Sequence, residues 1–246
     1  MCKKIVAANW KMYGTKQSVA TLTNVLAHFQ ADCEIIIFPP CVFIPMVSDI
    51  LCDTYVHLGA QNAAAEPSGA FTGEVSANML HEFGCRYVLL GHSERRQLFH
   101  ETNDIVAKKF AAAQQANLIP LLCVGQTWEE RQADNTLMVI LRQIDDVLEI
   151  TGIASLQRDI IAYEPILAIG TGLTAKPEQV QSVHAKICEH IAQIDGKIAN
   201  SIKIIYGGSV NANNAASLFV MPDIDGGLVG GASLDSAAFC KICKVA

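Results

Sequence analysis

Glu164 stands where an apolar run stops. The stretch "AYEPILAIGTG", Ala162 to Gly172, ends the run Ile160, Ile161, Ala162, Tyr163 on a carboxylate, locks the next residue as Pro165, and lays down four more apolar residues before its two glycines. Such a glutamate is either an acid facing water on a surface turn or a base held at the rim of a core beneath an apolar cover. Other polar residues occupy comparable places. Asn9 and Lys11 follow the run Lys4–Ala8, and His92 and Glu94 follow Arg86–Leu90. The glycine pairs Gly207-Gly208 and Gly230-Gly231 follow Lys203–Tyr206 and Gly227–Val229. In "YGGSV" and "LVGGASL" the glycines can turn backbone N–H groups toward an anion, and Ser233 could begin a short helix whose amino end adds positive potential. Taken singly, each residue has an ordinary reading of equal weight: a solvated lysine, a satisfied buried histidine, a loop acid, a plain turn. Their weight comes from sharing one kind of position in the fold.

That position is defined by eight short runs rich in β-branched and apolar residues: Lys4–Ala8, Glu34–Phe38, Tyr55–Ala60, Arg86–Leu90, Ile119–Val124, Ile160–Tyr163, Lys203–Tyr206 and Gly227–Val229. Most are nearly continuous in apolar character, which suits parallel strands covered on both faces. Helical periodicity fills the gaps. Val180, Val183, Ile187, Ile191 and Ile194 recur after Pro177; Val106, Phe110 and Ala113 follow Asn103, a candidate N-cap; Leu137, Leu141, Ile144 and Leu148 form a third stripe. Strand-helix alternation implies right-handed crossovers and a parallel sheet. Eight such units in 246 residues predict an α/β fold of the (β/α)₈ kind, eight parallel strands surrounded by helices, with its chemistry at the carboxyl ends of the strands. The structural alternative is a doubly wound open sheet, but no GxGxxG follows the first strand to mark a dinucleotide site. No Pro/Gly/Ser-rich linker or charge block divides the chain, so residues 1–246 read as a single catalytic domain.

Composition narrows the function further. The chain is 51% hydrophobic and 17% charged, enough for a large core. Its formal net charge of −6 argues against a nucleic-acid partner, although a local cationic pocket for an anion remains open. The amino terminus "MCKKIVAANWKMYG" lacks a signal-peptide core, and no stretch approaches a membrane span of about 20 residues, so a cytoplasmic protein without a membrane partner is expected. Nine scattered cysteines suit buried thiols in a reducing compartment. Cys240 and Cys243 form a CxxC near the terminus, read as helix packing rather than a metal or redox site.

The segments "ANWKM", "GAFTGEVSA", "YVLLGHSERR", "AYEPILAIGTG", "YGGSV" and "LVGGASL" resemble the signatures of triosephosphate isomerase, in that family's order and spacing, from residue 5 to about residue 235. The resemblance implies a TIM barrel that interconverts dihydroxyacetone phosphate and glyceraldehyde 3-phosphate in glycolysis and gluconeogenesis, with no cofactor and no metal. It implies catalytic roles for Glu164, His92, Lys11, Asn9 and Glu94. Glu164 would be the base, His92 the electrophile, Asn9 and Lys11 the groups that orient substrate oxygen, and Glu94 the partner of Lys11. Phosphate would be bound at Gly170, Ser209, Gly230 and Gly231, with Asn9 and Lys11 also touching substrate. Pro165 to about Ala175 would be a closing lid, with Gly170 and Gly172 letting the backbone reach the phosphate and Tyr206 and Ser209 holding it shut. "GAFTGE", with Thr72 at its tip, Phe71 exposed and Glu74 facing Arg95 of the partner subunit, would insert into a second copy, giving a homodimer.

Several positions depart from the family pattern, among them Leu167 for a tryptophan, Leu173 for a lysine, and Gln126 for a glutamate. Loss of that tryptophan and that glutamate together predicts an open lid less firmly anchored, with the chemistry intact. Tyr13 replaces an asparagine near the expected subunit contact. Cys123, behind the fifth strand, is read as packing. Two rival functions remain: another phosphate-binding barrel enzyme of the Schiff-base kind, for which Lys11 is a poor candidate because Glu94 is its expected partner, and a non-catalytic phosphate-binding protein on the same scaffold.

Overall fold

The computed structural model describes residues 3–165 and 175–246. β1 (Ile5–Asn9) leads to α1 (Lys16–Ala27), β2 (Glu34–Phe38) to α2 (Ile44–Leu51), and β3 (Val56–Ala60) to α3 (Ala77–Glu82). β4 (Tyr87–Leu90) is followed by α4 (Ser93–Leu98) and α5 (Asn103–Gln115), and β5 (Ile119–Val124) by α6 (Trp128–Gln132) and α7 (Thr136–Thr151). After β6 (Ile160–Tyr163) come α8 (Pro177–Ile194) and α9 (Gly196–Ser201), after β7 (Lys203–Tyr206) α10 (Ala215–Phe219), and after β8 (Gly226–Val229) α11 (Ser236–Lys244). The strands pair in chain order, all parallel, and β1 pairs with β8 to close the barrel.

Each strand serves two cores, which explains the unbroken apolar runs. In β1, Ile5 and Ala7 belong to the cluster inside the barrel, while Val6 and Ala8 belong to the layer between strands and helices. The same alternation sends Ile160 and Ala162 of β6 inward and Ile161 and Tyr163 outward. Parity alone therefore aims the next inward position of each strand at the mouth. Those positions are Asn9 after Ala7, Glu164 after Ala162, Gly207 after Ile205 and Gly230 after Leu228.

Three helix details differ from the sequence expectation. The N-cap of α5 is Thr102, whose side chain accepts from Ile105 N, so Asn103 is the first helical residue. α7 buries Ile140, Gln143, Ile144 and Val147, a face rotated from the Leu137, Leu141, Leu148 stripe, because Gln143 is drawn inward to hydrogen-bond Gly125 through both its amide atoms. In α8, His184 rather than Val183 completes the buried face, and Ile194 is exposed.

At the amino-terminal end of β6, Asp159 is buried with Gln114 Nε2 donating to its Oδ2 at 2.6 Å. Burial pushes its carboxyl up from 3.8 to about 7, only partly offset by Gln114. A raised folded value means that the fold holds a proton the unfolded chain has released, so stability falls as pH rises from about 4 to about 7 and stays reduced above that. Asp159→Asn should remove this slope and raise the unfolding free energy at pH 8 by about 2 kcal/mol. Urea titrations of both proteins at pH 5 and pH 8 check it; equal gains at the two pH values count against it.

Candidate active site

Asn9, Lys11, His92, Glu164, Ser209, Gly230 and Gly231 line one cavity of about 320 Å³ at the carboxyl ends of the strands. Its remaining wall includes Gly207, Gly208, Asn211 and Leu228. Glu94 does not line it but reaches it through Lys11, whose Nζ donates to Glu94 Oε1 at 2.5 Å. Gly170, Gly172, Leu167 and Leu173 lie outside the described residues, as does the rest of the expected lid between Pro165 and Ala175. A larger cavity, about 740 Å³, lies at the opposite end among the strand starts, lined by Glu34, His57 and Arg86 among others. It holds none of these groups.

Glu164 is 2% exposed, and its backbone still follows the strand, with Glu164 N donating to Val124 O at 2.8 Å. Its carboxylate is held from two sides. Ser93 N, at the first turn of α4, donates to Oε2 at 2.8 Å. His92 Nε2 lies 3.1 Å from Oε1, a close approach without the alignment of a hydrogen bond, so no aligned donor among the described residues reaches that oxygen. One carboxylate oxygen is thus anchored and the other left available in the cavity.

His92 would point outward if β4 kept its alternation, since Leu89 faces in and Leu90 out. Gly91 breaks the parity with a φ of +72°, and a Cβ there would lie 2.7 Å from Arg96 Nη2 and 3.1 Å from Cys123 O. The turn is braced from behind: Arg96 Nε donates to Gly91 O at 2.7 Å, its Nη1 to Asn103 Oδ1 at 2.6 Å, and Asn103 Nδ2 to Asp146 Oδ2 at 2.6 Å. His92 then caps α4, its Nδ1 accepting from Glu94 N at 3.2 Å. A backbone N–H can only donate, so Nδ1 carries the lone pair and the ring proton sits on Nε2, facing Glu164 and the cavity. The imidazole is placed as a hydrogen-bond donor.

Lys11 lines the same cavity with a φ of 49°, uncommon for a side-chain-bearing residue. Asn9 Oδ1 accepts from Lys11 N at 2.9 Å, and Gln61 Nε2 bridges Lys11 O and Phe38 O at 2.8 Å each. This clamp holds the backbone turn that lets the lysine reach Glu94. Of these supports, Gln61 carried no sequence signal of function, and Ser93 lay inside the "YVLLGHSERR" segment without a role assigned to it. Nothing in a local window tells that a glutamine 50 residues away will hold a loop.

Cys123 packs fully buried beside the base; burial and then the Glu164 carboxylate push its thiol well up, which keeps it neutral. Tyr206 is buried, its hydroxyl pushed up to about 12 by burial with partial offset from the Ala175 backbone. Gln126 is buried, its Nε2 donating to Tyr163 OH at 3.5 Å; a glutamate there would carry a charge with little water to stabilise it. Ser233 lies within a short 3₁₀ turn, Gly231–Leu234, rather than at its start, and its Oγ donates to Gly230 O at 2.7 Å.

Gly207 gives a direct test of how the base is seated. A Cβ at this position would lie 2.7 Å from Glu164 Cγ and 3.3 Å from Tyr163 O, so only hydrogen fits without moving the carboxylate. Gly207→Ala should lower kcat about 100-fold, the usual cost of a misplaced catalytic group, while circular dichroism and the melting curve stay close to those of the parent. A kcat within threefold of the parent would mean that Glu164 tolerates displacement.

The sequence profile of triosephosphate isomerase matches residues 4–246. The chain belongs to the triosephosphate isomerase family. It is 51% identical to a triosephosphate isomerase of Pseudomonas putida (strain W619) over 249 aligned positions, covering 100% of this chain and 99% of that protein. It is 51% identical to that of Methylococcus capsulatus over 245 positions, covering 99% and 98% of the two chains. With that of Dechloromonas aromatica it shares 48% over 248 positions, each chain covered completely. Family membership agrees with the closed eight-stranded barrel and with the position of the cavity at its carboxyl end.

Proposed function

We propose that this member of the triosephosphate isomerase family interconverts dihydroxyacetone phosphate and D-glyceraldehyde 3-phosphate in the cavity around Glu164. One observation carries the reading: a buried carboxylate with one oxygen that no aligned donor among the described residues reaches, an imidazole donor and a lysine converge on a single pocket lined also by Gly207, Gly208, Gly230 and Gly231. Glu164 takes the proton from one substrate carbon and returns it to the next. The enediolate oxygen formed between those steps is met by His92 Nε2–H and by the positive potential of Lys11, with Asn9 fixing the lysine turn and touching substrate. Glu94 holds Lys11 extended. The phosphate is taken by N–H groups at Ser209, Gly230 and Gly231, joined by Gly170 from the segment that would close over the site and exclude water.

A Schiff-base enzyme on the same scaffold is less well supported, since the amine of Lys11 is already committed to Glu94. A coupled assay with glyceraldehyde 3-phosphate tests the activity: turnover above about 10 s⁻¹, an ordinary enzyme rate, is expected without added metal, and its absence overturns the reading.

The working form is proposed to be a homodimer acting in the cell interior. Met12, 93% exposed, together with the exposed Tyr13 and Phe71, puts apolar side chains into water, as an uncovered interface would. Analytical ultracentrifugation should give about twice the 26.5 kDa of one chain. Among the described residues, no helix is long and apolar enough to cross a membrane.

A further inference from the structure

We propose that Cys33 and Cys243 form a reversible disulfide, made when the protein meets a peroxide, that ties the carboxyl-terminal helix to the start of β2. The two residues are 210 positions apart, yet Cys33 Sγ lies 3.5 Å from the carbonyl oxygen of Cys243. Cys33 occupies the turn before β2, where the backbone is not committed to a ladder, and Cys243 the last turn of α11. Both are buried, 7% and 1% exposed, but both line the cavity of about 740 Å³ at the amino-terminal end of the barrel. A small oxidant therefore has a path to sulfurs that protein-sized reagents cannot reach.

The two thiols are not equivalent. Contact with Cys243 lowers the Cys33 thiol from its ordinary value, and the same contact, followed by burial, pushes Cys243 up. Cys33 is also the more exposed of the two, 7% against 1%, and so is the sulfur that peroxide reaches first. Its thiolate attacks one oxygen of hydrogen peroxide, the O–O bond breaks, and a sulfenic acid forms while the departing hydroxide takes up a proton as water. The Cys243 sulfur then attacks the Cys33 sulfur, and its proton leaves with the displaced hydroxide as a second water. Two thiols and one peroxide give one disulfide and two waters; the sulfurs are oxidised and the peroxide is reduced.

The cross-link would close almost the whole chain into one loop, across the seam where the first and last βα units meet. Loss of chain entropy in the unfolded state then raises thermal stability, and because the bond lies at the end of the barrel away from Glu164, isomerase turnover should change less than twofold. The CxxC partner Cys240 plays no part, since Cys33 reaches across to Cys243.

The test treats the full chain with a few equivalents of hydrogen peroxide, blocks free thiols with iodoacetamide, and maps peptides without reduction. A Cys2→Ser background removes the cysteine nearest the chain start as a competing partner. A linked Cys33–Cys243 peptide is expected, with a melting midpoint about 5–10 °C higher, reversed by dithiothreitol and missing from Cys33→Ala and Cys243→Ala. Recovery of Cys33 as the alkylated thiol or the sulfinic acid, or linked to Cys240, would overturn the proposal. So would a midpoint shift that survives in Cys33→Ala. Should either alanine variant fail to fold, the peptide map of the parent decides alone.

Discussion

Glu164→Gln should lower kcat by about 10⁴-fold, near the upper end of what a positioned acid-base group contributes. The substitution keeps the shape of the side chain and its acceptor toward Ser93 N, which now sits 2.8 Å from Oε2, so the pocket and the fold should survive. What disappears is basicity at the oxygen that no aligned donor among the described residues reaches. Glu164→Asp makes the complementary change: basicity stays, but the carboxylate retreats by one methylene from both Ser93 N and the cavity. A loss of about 100-fold is expected from that displacement. Steady-state kinetics in both directions check the pair. KM should move far less than kcat for both, because the carboxylate is needed when the C–H bond breaks rather than when substrate binds. A glutamine variant within tenfold of the parent would remove Glu164 from the chemistry, and with it the proposed mechanism.

His92→Asn should cost about 10²–10³-fold in kcat, the usual effect of losing one donor to a developing oxyanion. Asparagine is chosen because it separates the two jobs of His92. Its side-chain oxygen can still accept from Glu94 N and cap α4, as Nδ1 does at 3.2 Å, and asparagine is among the favoured N-caps. Its amide is too short to place a donor where Nε2 stands, 3.1 Å from Glu164 Oε1. The melting point should therefore hold while kcat falls and KM changes little. A fall in stability with proportionate loss of folded enzyme, and a normal kcat per folded molecule, would make His92 a cap and nothing more.

How far the site was legible depended on which part of the argument is local. The runs ending at Asn9 and Glu164 carried enough information to place both residues, because period-two alternation within a single strand fixes which side faces the barrel interior. His92 followed a different rule. Counting from Leu89 and Leu90 sends it outward, and only the positive φ of Gly91, braced by Arg96 and through it Asn103 and Asp146, turns it to the mouth. The α7 stripe failed for a comparable reason, since a glutamine was drawn to the core by the backbone of Gly125, a partner that hydrophobic periodicity does not register.

By itself, the sequence determined the eight strand-helix units, their parallel order, the closure they imply and the identity of the groups at the strand ends, because these follow from patterns within windows of about 5 to 18 residues. Tertiary structure decided which atoms face one another. It chose the oxygen of Glu164 that Ser93 anchors, the nitrogen of His92 that keeps its proton, the hydrogen-bond clamp on Lys11, and the meeting of Cys33 with Cys243. Each of these depends on distance and direction between segments far apart in the chain, which come into contact only when the barrel closes and its packing leaves one arrangement for every buried polar group.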